Sequence, residues 1–196
     1  GAGERGHDNL VQLKSLPQQM ARPDWQKQFP CYLLAPQCPL KMQWSSSISS
    51  EKQPKDSIKS NLLDQVHQMI FEVSEKNPVD KQRIYITGYS MGGYGTWSMI
   101  AQYPDLFAAA SPICGGGDPD TVSKFMHLPL WVVHGDADQT VPITESQKMI
   151  DALRKLGATP HFDVLKAVKH DSWSPTYQNS GGMLQWLFGQ VKRPTS

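Results

Sequence analysis

The 196-residue chain lacks an excess of either charge: 19 Lys and Arg stand against 18 Asp and Glu, a net charge of +1. A nucleic-acid partner is therefore not expected, since such proteins carry a basic run or a basic surplus. No apolar stretch approaches the roughly 20 residues that span a bilayer, so no membrane span is expected. Cysteines are few and odd in number. Cys31, Cys38 and Cys114 form no CxxC and no Cys/His cluster with ligand spacing, so no metal site is expected. A Cys31–Cys38 disulfide competes with two buried thiols beside an apolar run. The first residue is Gly1, with no charged or apolar leader after it. The chain thus reads as cut at its start, and the missing leader says nothing about compartment. What is present is 39% hydrophobic residues in a length that suits one domain with a single core.

Apolar runs and helical spacings alternate along the chain. Residues 31–35, Cys-Tyr-Leu-Leu-Ala before Pro36, read as a buried strand. Residues 41–59 read as a long polar loop around Trp44 and Ile48. From Ile58 the residues Leu62, Leu63, Val66, Met69, Ile70 and Val73 recur at helical spacing as far as Asn77-Pro78. Further strands are predicted at 84–87, 107–111, 130–134 and 162–165. Helices are predicted after the glycine-rich 88–95 turn, at 122–126, from a Thr144/Gln147 capping box to Gly157, and at 183–188. Short apolar strands alternating with amphipathic helices imply a mostly parallel sheet with helices on both faces. In such a sheet, chemistry collects at the carboxyl ends of the strands.

Three strand ends carry reactive residue types. After 84–87 comes Gly88-Tyr89-Ser90-Met91-Gly92, a G-x-S-x-G between a strand and a helix. That turn exposes a serine hydroxyl and aims a helix N-terminus at it, so the Met91 N–H can bind an oxyanion. A side chain at either flanking glycine is expected to crowd strand and helix. The plainer alternative is a tight packing turn with an incidental serine. After 130–134 come Asp136 and Asp138. Asp136, nearer the strand, suits a backbone-bonded turn; Asp138 suits a carboxylate that orients a histidine. After 162–165 comes His170, on a loop free to reach both. The other histidines are placed worse: His7 precedes the serine, His67 lies on a helix, His127 in a linker, His161 at a strand start, and His134 ends a buried strand as a packed residue. The order Ser90, Asp138, His170 is that of α/β-hydrolases.

The chain resembles α/β-hydrolase esterases of the phospholipase/carboxylesterase and dienelactone-hydrolase-like group, whose members are often labelled peptidases by similarity to prolyl oligopeptidases. The matching segments are Gly1-Ala2-Gly3-Glu4-Arg5-Gly6, Ala35-Pro36-Gln37-Cys38-Pro39, the serine turn running on to Gly93, His134-Gly135-Asp136-Ala137-Asp138 with Gln139-Thr140-Val141-Pro142, and His170-Asp171-Ser172-Trp173. The resemblance implies an α/β-hydrolase fold with a Ser90–His170–Asp138 triad and Asp138 preferred over Asp136. It implies hydrolysis of a small-molecule or polymer-borne ester without a cofactor. A second oxyanion N–H matches Ala2, because in that family the donor follows a His-Gly pair, which here would end at Gly1. The pair's histidine and the strand before it are absent. The resemblance therefore implies that residues 1–196 are a single hydrolase domain lacking its N-terminal strands, and that upstream residues are needed for stability. Residues 113–128 leave room for one small helix where relatives carry a cap, so no cap domain and an open site are expected. Trp44 and Trp173 are candidate substrate contacts, each equally readable as a packing anchor. A peptidase and a non-catalytic binding protein are the rival functions.

Overall fold

The computed structural model describes residues 1–46 and 62–192. Four parallel strands, β1 (Tyr85–Tyr89), β2 (Ala109–Ile113), β3 (Trp131–Gly135) and β4 (His161–Leu165), pair in the order β1-β2-β3-β4. Each return crosses through α4 (Met91–Gln102), a 3-10 turn (Pro119–Lys124) or α5 (Thr144–Lys155). Ahead of β1 lie α1 (Leu16–Met20), α2 (Pro23–Gln28) and α3 (Leu62–Lys76); after β4 come α6 (Trp173–Gln178) and α7 (Met183–Phe188).

Alternation along the strands sends neighbouring residues to opposite faces. Ala110 and Val132 join Trp97, Ile100, Met149, Ile150 and Leu153 under α4 and α5. Ala109, Ile113 and Val133 join Leu16, Trp25, Tyr177 and Leu184 under α1, α2, α6 and α7. The sheet is thus covered on both faces, as an α/β-hydrolase sheet is. Full burial of a side chain such as Ile100 or Leu153 stabilises by about 1.5–3 kcal/mol.

Three expectations are corrected. Residues 31–35 are not a strand and are not buried: Tyr32 is 56% and Leu33 45% exposed. An apolar run becomes a strand only when a ladder receives its N–H and C=O groups. The β1 edge nearest to it carries no partner among the described residues. A groove of about 890 Å³ lined by Tyr32, Leu33, Leu63, Val66, Ile84 and Ile86 lies between them. The capping box is also absent. Ile143 occupies the cap of α5 without a side-chain bond, and Gln147 Nε2 donates instead to Asp151 Oδ1. Leu156, placed on the apolar face, is 42% exposed because the helix ends before it; Gly157 at φ 84° makes the turn. Residues 47–59 of the expected loop, including Ile48, and the Ile58 start of the first helix lie outside the described residues. Cys31, Cys38 and Cys114 are free thiols.

Candidate active site

The site stands at the carboxyl ends of β1, β2 and β3 and on the loop after β4. Ser90 links β1 to α4 with φ 55° and ψ −121°. A side chain in that region costs on the order of 1–3 kcal/mol unless its surroundings hold it. Here they do. The Ser90 N–H donates to the Ile113 carbonyl at 3.0 Å, and the Tyr94 N–H donates to the Ser90 carbonyl at 3.1 Å. Met91, the first residue of α4, is buried. First-turn N–H groups have no partner within their own helix, so this end presents donors to an anion.

The glycines differ from expectation. A Cβ on Gly88 would sit 2.5 Å from the Gly92 carbonyl oxygen, but one on Gly92 would meet nothing within 4 Å. The second crowded position is Gly93, where a Cβ would lie 2.4 Å from the Ile113 oxygen. The close approach of α4 to β2 therefore depends on Gly93. Gly93→Ala is expected to lower stability by about 1–3 kcal/mol by overpacking. Gly92→Ala should be neutral or raise it by up to about 1 kcal/mol, as alanine favours a helix. Equal denaturation midpoints for the two variants would contradict this.

His170 joins the other two residues. Its Nδ1 lies 2.8 Å from Asp138 Oδ2 and its Nε2 lies 2.9 Å from Ser90 Oγ. A carboxylate only accepts, so Nδ1 carries the proton and Nε2 is left to accept from the Ser90 hydroxyl. Asp138 Oδ1 accepts the N–H groups of Thr140 at 2.8 Å and Val141 at 3.0 Å. Burial alone would raise the Asp138 pKa. The bond from His170 and the two backbone N–H groups outweigh it and hold the carboxyl below its ordinary range. Asp136 is exposed and turned away; its Oδ1 accepts the Ala167 N–H at 2.6 Å, fixing Ala167 at φ 59°. The arrangement can pass a proton from a hydroxyl to an imidazole whose other nitrogen is held by a buried anion.

The remaining candidates are spread around this centre. Ala2 is exposed and opens a 3-10 turn, Ala2–Glu4. The Glu4 carboxylate faces the phenol of Tyr89, the residue before Ser90, and helps push that phenol's pKa up. Trp173 stands edge-on to His170 with centroids 5.3 Å apart and stacks on Tyr89 at 4.3 Å. Trp44 packs with Met91 and Cys38, and a Cβ on Gly95 would sit 2.8 Å from Trp44 Cβ, so this tryptophan anchors its loop on α4. Cys114, which the sequence did not place at the site, follows β2 at φ 38°. Its sulfur and ligand atoms of Asp138 and His170 lie within 4.8 Å of one another. Burial pushes the thiol pKa up to about 12, which disfavours the thiolate a metal would need. Its position directly after an apolar strand was the available signal.

Residues 41–178 match the profile of the dienelactone hydrolase family. The crystal structure of a thermostable esterase superposes on 97% of this chain and 53% of its own, with a TM-score of 0.85 and 38% identity. Poly(3-hydroxyalkanoate) depolymerase C of Paucimonas lemoignei is 43% identical over 51 residues, 26% of this chain and 12% of the depolymerase. A bifunctional acetylxylan esterase/xylanase of Neocallimastix patriciarum is 32% identical over 77 residues, 39% of this chain and 11% of that enzyme. The chain thus spans about half the length of the esterase of known structure and about a tenth of the two curated relatives.

Proposed function

Because the chain belongs to the dienelactone hydrolase family, we propose that it hydrolyses carboxylic esters through Ser90, with His170 as general base and Asp138 as the group that orients and charge-balances the imidazole. The observation that carries this reading is the continuous hydrogen-bond chain from Ser90 Oγ to His170 to Asp138, at 2.9 and 2.8 Å. His170 Nε2 takes the hydroxyl proton as Oγ attacks the ester carbonyl. The tetrahedral oxyanion is stabilised by the Met91 N–H and, in this reading, by the Ala2 N–H. Loss of one such donor typically costs about 2.7–4 kcal/mol of transition-state stabilisation. The alcohol leaves with the proton held on Nε2. Water then attacks the acyl-enzyme, giving its proton back through His170. No step calls for a cofactor. Trp173 bounds the site beside His170 and is the better-placed substrate contact; Trp44 supports α4 from behind.

The 3-10 turn of residues 119–124 fills the place after β2 and favours an open site able to admit ester groups on a small molecule or a polymer. The depolymerase and the acetylxylan esterase are named for polymer-borne esters, which supports that class. We read residues 1–196 as one α/β-hydrolase domain whose sheet continues past β1; the β1 edge, unpaired among the described residues and beside the exposed 31–35 run, supports this.

The test is turnover of short p-nitrophenyl esters beside matched anilides, with a serine-directed phosphonate and mass mapping. Expected are ester turnover, little anilide cleavage and a single adduct on Ser90. Faster anilide cleavage would favour a peptidase, and no adduct at Ser90 would reject the nucleophile. The rate should rise with pH as the general base is deprotonated, at pH values above those at which Asp138 ionises. Asp138 remains ionised there, because its folded pKa is depressed. Its contribution to stability is present above about pH 4 and disappears only as the pH falls through the lower folded value. A rate flat from pH 5 to 8 at saturating substrate would contradict a histidine base.

A further inference from the structure

Beside Asp138, at the same carboxylate oxygen that His170 contacts, lies a second imidazole that the reaction above does not use. His134, the last residue but one of β3, is fully buried. Its Nε2 is 2.9 Å from the Val141 carbonyl and 3.4 Å from Asp138 Oδ2; its Nδ1 is 2.8 Å from Ser146 Oγ on α5. Ser146 Oγ also lies 2.7 Å from the Gly115 carbonyl beyond β2. A carbonyl only accepts, so Nε2 carries a proton. That N–H bonds the Val141 carbonyl with Asp138 Oδ2 alongside at 3.4 Å, while the Val141 N–H binds the other carboxylate oxygen. The turn from Gly135 to Val141 is therefore tied to Asp138 from both sides.

Hydrogen counting sets the charge state. Ser146 has one hydroxyl hydrogen for two acceptors. If it serves Nδ1, His134 is neutral; if it serves the Gly115 carbonyl, Nδ1 must also be protonated and the ring is a cation. Desolvation holds the His134 pKa below its ordinary range, which selects the neutral ring with the proton on Nε2. A neutral ring donating from Nε2 steers Asp138 without cancelling its charge.

We propose that His134 is a positioning residue for the ester-hydrolysing reaction: its Nε2–H, bonded to the Val141 carbonyl and set 3.4 Å from Asp138 Oδ2, holds the turn and the carboxylate in the orientation that receives His170 Nδ1–H. The proposal rests on the Ser90–His170–Asp138 reading. Packing alone does not account for the contacts, because an apolar side chain of the same size would leave the Val141 carbonyl and the carboxylate short of one donor in a buried place. Partners that orient metal-bound ligands from one step away typically change activity by about 10–100-fold, and an orienting partner of a catalytic carboxylate is expected to act on that order.

The variants follow from atom positions. Glutamine can place its amide nitrogen where Nε2 stands. Asparagine reaches only as far as Nδ1, keeping the Ser146 contact and losing the donor to Asp138. Expected for His134→Asn is a fall in kcat of about 10-fold or more with KM within twofold. The acidic limb of the rate should also move to higher pH, because a carboxylate with one donor fewer stabilises the His170 cation better. His134→Gln should recover most of the rate and the parent limb. The groups facing His170 are Asp138, the Cys114 thiol, His134 and the neighbouring Asp171, and only His134 differs among these proteins. Rates are taken per folded molecule, from circular dichroism and active-site titration with the phosphonate. An unchanged limb and rate in His134→Asn, or equal losses in the Asn and Gln variants, would overturn the proposal. Ester turnover that survives Ser90→Ala would instead reject the underlying reading, so the two failures are distinguishable.

Discussion

Replacing Ser90 by alanine is expected to lower ester turnover by at least about 10³-fold while leaving circular dichroism and the melting temperature nearly unchanged. Alanine keeps the Cβ, so the positive φ of this turn is occupied by a side chain of the same steric demand. The hydrogen bonds that hold the turn come from the backbone and survive the change. What is lost is one oxygen with one side-chain hydrogen bond, to His170 at 2.9 Å. Such a bond is worth about 0.5–1.5 kcal/mol of stability. The catalytic loss is far larger, because the covalent route disappears and only oxyanion stabilisation and binding remain to assist water; about 10³-fold corresponds to about 4 kcal/mol of barrier. Turnover within tenfold of the parent in a folded Ser90→Ala protein would reject Ser90 as nucleophile.

The candidate site was more legible in the sequence than the sheet that carries it, for physical reasons. Ser90, Asp138 and His170 each stand just after an apolar run, and a parallel sheet gathers such ends at one rim. Chain order and residue type, with the family resemblance preferring Asp138 to Asp136, therefore named three side chains that lie within hydrogen-bond distance. The run at 31–35 is as apolar as β3, yet a strand is a property of two segments, and composition does not say whether a ladder partner stands alongside. The short helices α1, α2 and α6, of five or six residues each, show too little periodicity to be read from spacing. Pro17 and Pro23 in the first turns of α1 and α2 were the available signal. Gly92 and Gly93 look alike in sequence; which one touches β2 depends on how α4 is rolled against the sheet. His134 read as packing because it ends a buried strand. Its contact with Asp138 exists only because the following turn folds back across the strand end.

That turn also separates the two aspartates, which the sequence sets only two residues apart. Asp138→Asn is expected to lower kcat by on the order of 10³–10⁴-fold, by the wrong-tautomer argument for an amide in this position. Four N–H groups surround the Asp138 carboxylate: those of Thr140 and Val141 at Oδ1, and those of His170 and His134 near Oδ2. An asparagine has one oxygen and one NH₂ to offer them. With the oxygen toward the loop, NH₂ donates to His170 Nδ1. The proton then sits on Nε2, which cannot accept from Ser90. With the oxygen toward His170, NH₂ faces two backbone donors and leaves them unpaired in a buried place, at about 1–3 kcal/mol each. The first arrangement is the lesser evil for folding and the worse for turnover, so the protein should stay folded and lose rate. Asp136→Asn meets no such conflict. Its side chain is exposed, serves a single N–H, that of Ala167, and an amide oxygen accepts that bond as well. The expected cost is about 1 kcal/mol of stability or less, from exchanging a charged acceptor for a neutral one, with kcat within about threefold of the parent. Steady-state rates and melting curves of the two variants, taken side by side at pH 7.5, decide the matter: equal losses of kcat would remove Asp138 from its assigned role, and a larger loss for Asp136→Asn would exchange the two.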